Sequence, residues 1–174
     1  MAAPSKPLHP LASVGGIAGA AGGYALSHYA GPSLWIPGIA TILLMVLFTK
    51  TAFRPKRFAG AIATTGGHVI WFIAACAIIN YWAAAALDIA ILTGGIVWLW
   101  IQPGLGAVLF LGLVQLASLG FNVWMLFSAP FGSPAHKALT VHCIWRLIAI
   151  ACLVTGYLAM RRERSVVVAN GVQP

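Results

Sequence analysis

Long apolar runs constrain the fold of this chain more than any other feature. A helix needs about 20 apolar residues to cross a bilayer, and short segments rich in Gly, Pro or charge separate most runs of about this length. The run over 58–101 is about twice as long and must turn near Asn80, Tyr81 and Trp82. Inside lipid a helix satisfies its backbone polar groups with its own hydrogen bonds. The sequence therefore predicts an all-α, polytopic integral membrane bundle of about six transmembrane helices. The spans are expected at residues 11–30, 34–49, 58–82, 83–101, 104–127 and 138–160.

The composition excludes an ordinary soluble domain. Hydrophobic residues make up 61% of the 174 positions and charged residues 7%, against about 25% charged residues in an average soluble domain. No polar stretch is long enough for a second domain, so we expect a single transmembrane domain over residues 1–174, with 161–174 as a cytoplasmic tail. The three cysteines lie in apolar runs without C-x-x-C spacing, a pattern that indicates neither a disulfide framework nor a metal site.

The distribution of Lys and Arg predicts the orientation of the spans. One basic cluster precedes the third span and another follows the sixth, and the positive-inside rule assigns both to the cytoplasm. Four spans separate the clusters, an even number, so the two assignments agree and predict cytoplasmic N- and C-termini. The clusters consist of Lys50, Arg54, Lys56 and Arg57, and of Arg161, Arg162 and Arg164.

The net charge of +8 arises largely from these flanking clusters. Basic residues beside apolar spans are typical of contact with anionic lipid headgroups. We therefore expect the bilayer, and no nucleic acid, as the charged partner of this chain. The expected location is the inner (plasma) membrane of a bacterium.

The first apolar run allows two interpretations. Gly15, Gly19 and Gly23 form a small-x-x-x-small stripe, which lets another helix approach closely. The run also follows Lys6 and resembles a signal peptide, whose removal would leave five spans in the same orientation. Its glycine-rich core favours a retained helix that packs against another helix.

Ionisable residues inside spans are the best functional candidates, because each costs about 2.5–3.5 kcal/mol at the centre of a membrane helix on insertion scales. Asp88 lies near the outer end of the fourth span, and His142 and Arg146 lie in the sixth. Residues at i and i+4 share a helix face, so His142 lies above Arg146. If the fourth and sixth helices are neighbours, we expect Asp88 to pair with Arg146 or to accept a hydrogen bond from His142.

A polar stripe on the fifth span extends this candidate site. Gln115, Ser118 and Asn122 are spaced i, i+3 and i+7, and therefore face one side of a helix. The sequence thus predicts a polar pocket in the outer half of the bundle, although the same groups could instead serve as interhelical hydrogen bonds. The predicted ligand-binding residues are Asp88, Gln115, Asn122, His142 and Arg146.

A haem held by His68 and His142 is disfavoured by their estimated depths. Counting residues from the ends of the apolar runs separates the two histidines by roughly 15 Å, whereas axial ligands must converge on one iron. We expect no haem, no other cofactor and no metal. His68 is expected to bond to a neighbouring Thr or a backbone carbonyl.

Three functions remain open from the sequence. The first is binding or transport of a small molecule in the polar pocket. The second is a non-catalytic subunit of a larger membrane complex, or a homo-oligomer, in which the glycine stripe meets partner helices. The third is an intramembrane enzyme with Asp88 as general acid or base, which the lack of any recognisable catalytic motif makes the weakest of the three.

Overall fold

The computed structural model describes residues 32–51, 56–79 and 82–169, and in this part of the chain all regular structure is helical. The prediction of an all-α fold is thus confirmed for the described residues. The first predicted span, with Gly15, Gly19 and Gly23, lies outside them. The five helices are α1 (Pro32–Lys50), α2 (Ala59–Ile79), α3 (Trp82–Ile101), α4 (Leu105–Ser128) and α5 (Pro134–Ala169), and a 3₁₀ turn, Lys56–Phe58, leads into α2.

The helices end at the breakers seen in the sequence. Between α4 and α5 lies Gly132, whose φ of 76° is a backbone conformation that glycine adopts without strain. The Oγ of Ser133 then accepts a hydrogen bond from the backbone N–H of His136 at 3.1 Å, and Pro134 occupies the first helical position, where no donor is needed. This N-cap fixes the start of α5.

Helix α5 continues well beyond the end of the predicted sixth span. The apolar run ends at Met160, but the helix runs to Ala169. Arg and Glu favour helix, so the segment from Arg161 to Arg164 carries the helix onwards although it is too charged for lipid. The apolar span therefore ends before the helix does.

Three helical segments are long and apolar enough to span a membrane: Ala59–Ile78, Leu105–Ser128 and Pro134–Ser165. The apolar parts of α1 and α3, Trp35–Lys50 and Ala85–Ile101, are shorter. Large apolar side chains such as Ile42, Leu113 and Phe127 point outwards and are more than half exposed. This outward apolar surface suits lipid, and together with the three long segments it indicates a membrane protein.

Four of the helices form a ring. Contacts link α2 to α3, α3 to α4, α4 to α5, and α5 back to α2, while α1 packs mainly against α2. Helix α2 is the most buried of the three membrane-length helices. Residues of α2, α4 and α5 that face the inside of this ring can therefore meet one another.

Two glycines allow close helix approach. A Cβ added at Gly67 on α2 would lie 2.7 Å from the carbonyl oxygen of Pro37 on α1, and one at Gly156 on α5 would lie 2.7 Å from the Phe58 ring. Both distances are too short for a real Cβ, so these positions need glycine. Small residues at such crossings are typical of membrane helix packing.

An ion pair between Arg57 and Glu163 joins the start of α2 to the last turns of α5. The two helices are antiparallel, since Gly60 faces Cys152 and Phe58 faces Gly156. Arg57 and the basic residues near the end of α5 therefore lie at one end of the bundle.

Candidate functional site

A cluster of buried polar side chains lies inside the ring. Four of its members are almost completely buried: Thr65 (0% exposed) and His68 (2%) on α2, Gln115 (0%) on α4, and Arg146 (1%) on α5. His142, on α5, is half-buried. We call these five residues the Arg146 cluster.

A chain of hydrogen bonds crosses the ring through Gln115. The Nη1 of Arg146 donates to Oε1 of Gln115 at 2.7 Å, and Nε2 of Gln115 donates to Oγ1 of Thr65 at 3.1 Å. Both ends of the amide are used, so its orientation is fixed with the oxygen towards the cation. Gln115 thereby connects α5, its neighbour in the ring, with α2, which lies across the ring from α4.

The second part of the cluster is a histidine pair. Nε2 of His68 lies 2.8 Å from Nδ1 of His142, and the rings stack with centroids 4.9 Å apart and planes 18° apart. One nitrogen must donate and the other accept, so a single proton lies between them. Two protons there would place donor against donor and break the contact.

Phe72 connects the two parts. Its ring stacks on His68 and on His142, with centroids 5.0 Å and 5.8 Å away. The guanidinium carbon of Arg146 lies 5.9 Å from the centroid of the same ring, which is within the range of a cation–π interaction. The histidine pair and the arginine therefore share one aromatic wall.

The charge of Arg146 is only partly compensated. Its Nε is buried and has no hydrogen-bond partner, and no acidic side chain of the described residues forms an ion pair with it. Its contacts in the described structure are with the neutral amide of Gln115 and the ring of Phe72. A buried cation is strongly unfavourable unless it is paired. Asp88 attracts the guanidinium electrostatically but forms no ion pair with it, so Arg146 has no anion in hydrogen-bonding contact.

The structure brings together three of the five predicted ligand-binding residues, namely Gln115, His142 and Arg146. Asp88 is exposed on α3 and makes no hydrogen bond or ion pair with Arg146, so the expected pair does not form. Asn122 is half-buried on α4, about 10 Å along the helix from Gln115 at 1.5 Å per residue.

Sequence reasoning did not include Thr65, His68 or Phe72 in the site. A signal for them existed, because the three residues follow the same i, i+3, i+7 spacing on α2 as Gln115, Ser118 and Asn122 on α4. Residues with this spacing share a helix face. Two such stripes, on two helices of the ring, would have indicated that their polar side chains meet inside it.

The estimated separation of His68 and His142 was wrong. It assumed that Trp82 and Ala138, the outer ends of two apolar runs, lie at one level, whereas the contact of Phe58 with Gly156 aligns Ala138 with residue 76 of α2. This offset of six residues accounts for about 9 Å of the error. The rest reflects the fact that hydropathy says nothing about the tilt of one helix against another.

The cluster also lies nearer the middle of the bundle than the outer half predicted for it. His68 follows the start of α2, a helix of 21 residues, by nine positions, and Gln115 follows the start of α4, a helix of 24 residues, by ten. Both are thus close to the midpoint of their helices. A charge at this depth is at its most costly.

The chemistry available to the cluster is recognition and proton exchange. The guanidinium can bind an anion, and the imidazoles can pass a proton. Among the described residues, no group of three or more His, Cys, Asp or Glu side chains is placed to hold a metal ion. A metal cation between the two histidines would also lie against the same Phe72 ring as the guanidinium, close to the positive charge of Arg146.

Comparison of the chain with protein-family models, with curated proteins and with solved structures finds no match. The Arg146 cluster is therefore the main basis for assigning a function.

Proposed function

We propose that this protein binds or transports a small molecule at the Arg146 cluster. The observation that carries the proposal is the state of Arg146, which is 1% exposed and has an unpartnered Nε. A purely structural arginine would be expected to have a carboxylate partner, since an uncompensated buried charge lowers stability by several kcal/mol. A ligand that completes the hydrogen bonds of Arg146 would remove that cost.

We further propose the topology in which this site operates. The chain crosses the membrane six times, with both termini in the cytoplasm of a bacterium and the bundle in its inner membrane. The Arg57–Glu163 ion pair supports a shared end for the two basic clusters, and the positive-inside rule makes that end cytoplasmic.

Native mass spectrometry of the protein purified in lipid nanodiscs tests the proposal. A small molecule should remain bound to the wild type and be lost from Arg146→Gln, which keeps some hydrogen bonding but removes the charge. The matched control is Arg161→Gln, which removes an exposed arginine from the same helix and should retain the molecule. Equal occupancy in both variants would contradict a site at Arg146.

A second candidate function, a subunit of a larger membrane complex, is favoured by one face of α1. Ile39, Ile42, Leu43 and Val46 on that face are each more than half exposed, and α1 meets the ring mainly through α2. Such a face suits lipid or another apolar helix. The same purification separates the two functions, because a complex subunit would bring stoichiometric protein partners, or a second copy, in place of a small molecule.

A further inference from the structure

The guanidinium of Arg146 has one hydrogen-bonding edge that its known partner leaves open. A guanidinium presents an end edge, formed by the two Nη atoms, and a side edge, formed by Nε and Nη2. Gln115 accepts from Nη1, which belongs to the end edge, whereas the Nε of the side edge is buried without a partner. The unpartnered donor therefore lies on the side edge.

The geometry of this edge matches a carboxylate. Two parallel N–H groups in one plane bind the two oxygens of a carboxylate in a bidentate contact, which is among the strongest hydrogen-bonding arrangements in proteins. A hydroxyl or a carbonyl group would satisfy one N–H and leave the charge uncompensated. An anionic group that spans both donors satisfies the edge and the charge together.

The charge of the cluster selects a monovalent anion. Arg146 supplies one positive charge, Gln115 and Thr65 are neutral, and His68 and His142 add no charge when each imidazole carries a single proton. One negative charge therefore makes the site neutral. A dianion such as sulfate would leave a net negative charge in a low-dielectric interior, which is unfavourable.

We propose that Arg146 binds the carboxylate group of a small monocarboxylate through Nε and Nη2, with Gln115 holding the guanidinium in place and Phe72 bordering the apolar part of the molecule. This inference rests on the proposed small-molecule binding and names the class of ligand. Asp88 does not fill this role, because it is exposed on α3 and acts on Arg146 only through its charge, without forming an ion pair or a hydrogen bond with it.

The test is thermal unfolding of the full chain in nanodiscs, followed through its seven tryptophans. Sodium acetate and sodium propionate are titrated against sodium chloride and sodium sulfate at matched ionic strength and constant pH. We expect saturable stabilisation by the two carboxylates, because a ligand that binds only the native state raises its stability with concentration. Sulfate should give only the linear rise of a salt excluded from the protein surface.

Variants then locate the binding site. Arg146→Lys keeps the charge but lacks the two-donor edge, and should raise the dissociation constant for acetate tenfold or more. Arg161→Lys makes the same exchange at an exposed position of α5 and should leave the dissociation constant unchanged. Asp88→Asn should also bind acetate like the wild type, since its carboxylate is not the counterion.

Several outcomes overturn the inference. These are a wild type without a saturable response to either carboxylate, a saturable response to sulfate, and equal acetate affinity in Arg146→Lys and Arg161→Lys. Acetate binding that appears only in Asp88→Asn also overturns it, because Asp88 would then occupy the site. If Arg146→Lys does not fold, the anion series on the wild type still decides whether a monocarboxylate binds.

Failure of this inference can be distinguished from failure of the proposed function. A neutral or cationic molecule that stays on the purified wild type and is lost from Arg146→Gln would keep small-molecule binding and reject the carboxylate. If no molecule is retained and no carboxylate stabilises the protein, both proposals fail.

Discussion

At the scale of single residues, Gln115 is the central member of the buried hydrogen-bond network. It is the only hydrogen-bond acceptor of known geometry for Arg146 among the described residues, and it also donates to Thr65. Removing one partner of a buried hydrogen bond leaves the other unsatisfied, which costs more than the bond contributes. The amide should therefore matter more than a typical interhelical hydrogen bond, worth about 0.6 kcal/mol.

We predict that Gln115→Leu lowers the free energy of unfolding by about 1–3 kcal/mol, because it leaves the Arg146 cation without its acceptor. Thermal or denaturant unfolding in nanodiscs measures this. Asn122→Leu changes a half-buried polar residue on the same helix outside the cluster and should shift stability by much less. Similar effects of the two substitutions would argue against a special role of Gln115.

The histidine pair should show energetic coupling. In His68→Phe and His142→Phe the aromatic stacking is retained while the nitrogens are lost, so each single variant leaves one imidazole without its partner. A double-mutant cycle should give a coupling energy of about 0.5–3 kcal/mol, as for other residues in direct contact. The cycle of His68→Phe with Asn122→Leu should be additive, and equal values for the two cycles would contradict the 2.8 Å contact.

At the scale of helices, the α1–α2 crossing depends on Gly67. We predict that Gly67→Ala pushes α1 away from α2 and lowers the free energy of unfolding by about 1–3 kcal/mol, as overpacking does elsewhere. Gly94→Ala on α3 is the matched control, since nothing lies within 4 Å of a Cβ added there. In an open helical position alanine should be neutral or stabilising by up to about 1 kcal/mol.

Cross-linking of cysteines placed on α1 and α2 would report the movement directly. Gly67→Ala should reduce the cross-linked fraction, and Gly94→Ala should leave it unchanged. An unchanged yield in Gly67→Ala would show that an alanine side chain fits between α1 and α2 without moving them, contrary to the structure.

Helix positions could be predicted from the sequence, whereas the relation of one helix to another could not. Glycine, proline and serine next to α5 mark its start locally, and the charged residues after Met160 explain why the apolar run ends before the helix does. The contact of His68 with His142 depends instead on the axial offset and tilt of α2 against α5. Neither the axial offset nor the tilt can be read from the hydropathy of the sequence.

The same limit explains the outcome for Asp88. Its chemistry correctly marked it as unusual in an apolar run, but pairing with Arg146 required it to face the interior of the ring. Helix α3 presents Asp88 outwards, and the weak amphipathicity of an almost wholly apolar helix gives no means of choosing its face from sequence. Residue type identified Arg146, whereas only the fold identified its neighbours.

At the scale of the whole molecule, the proposed orientation can be tested with cysteine labelling. Phe131 is 92% exposed in the α4–α5 connection, and Ser165 is exposed near the opposite end of α5. A membrane-impermeant maleimide added to intact cells should label Phe131→Cys but label Ser165→Cys only after the membrane is opened. The wild type gives the background, since Cys76 and Cys143 are buried and Cys152 is half-buried.

The reverse labelling pattern would invert the bundle and place the basic end outside. Labelling of both positions in intact cells would mean that α5 does not cross the membrane. Either result would also move the entry side of the proposed ligand.

The hydrogen bonds through Gln115 have a direction. A guanidinium has only donors, so the series must start at Arg146 on α5, pass through an amide that both accepts and donates on α4, and end at a hydroxyl oxygen on α2. Exchanging the places of α2 and α5 around α4 would only require the terminal amide of Gln115 to rotate by 180°, so the series does not fix the order of the helices. It does require one residue each from α2, α4 and α5 to meet at the same depth, and it should therefore favour this three-helix contact over other arrangements that lipid alone would allow.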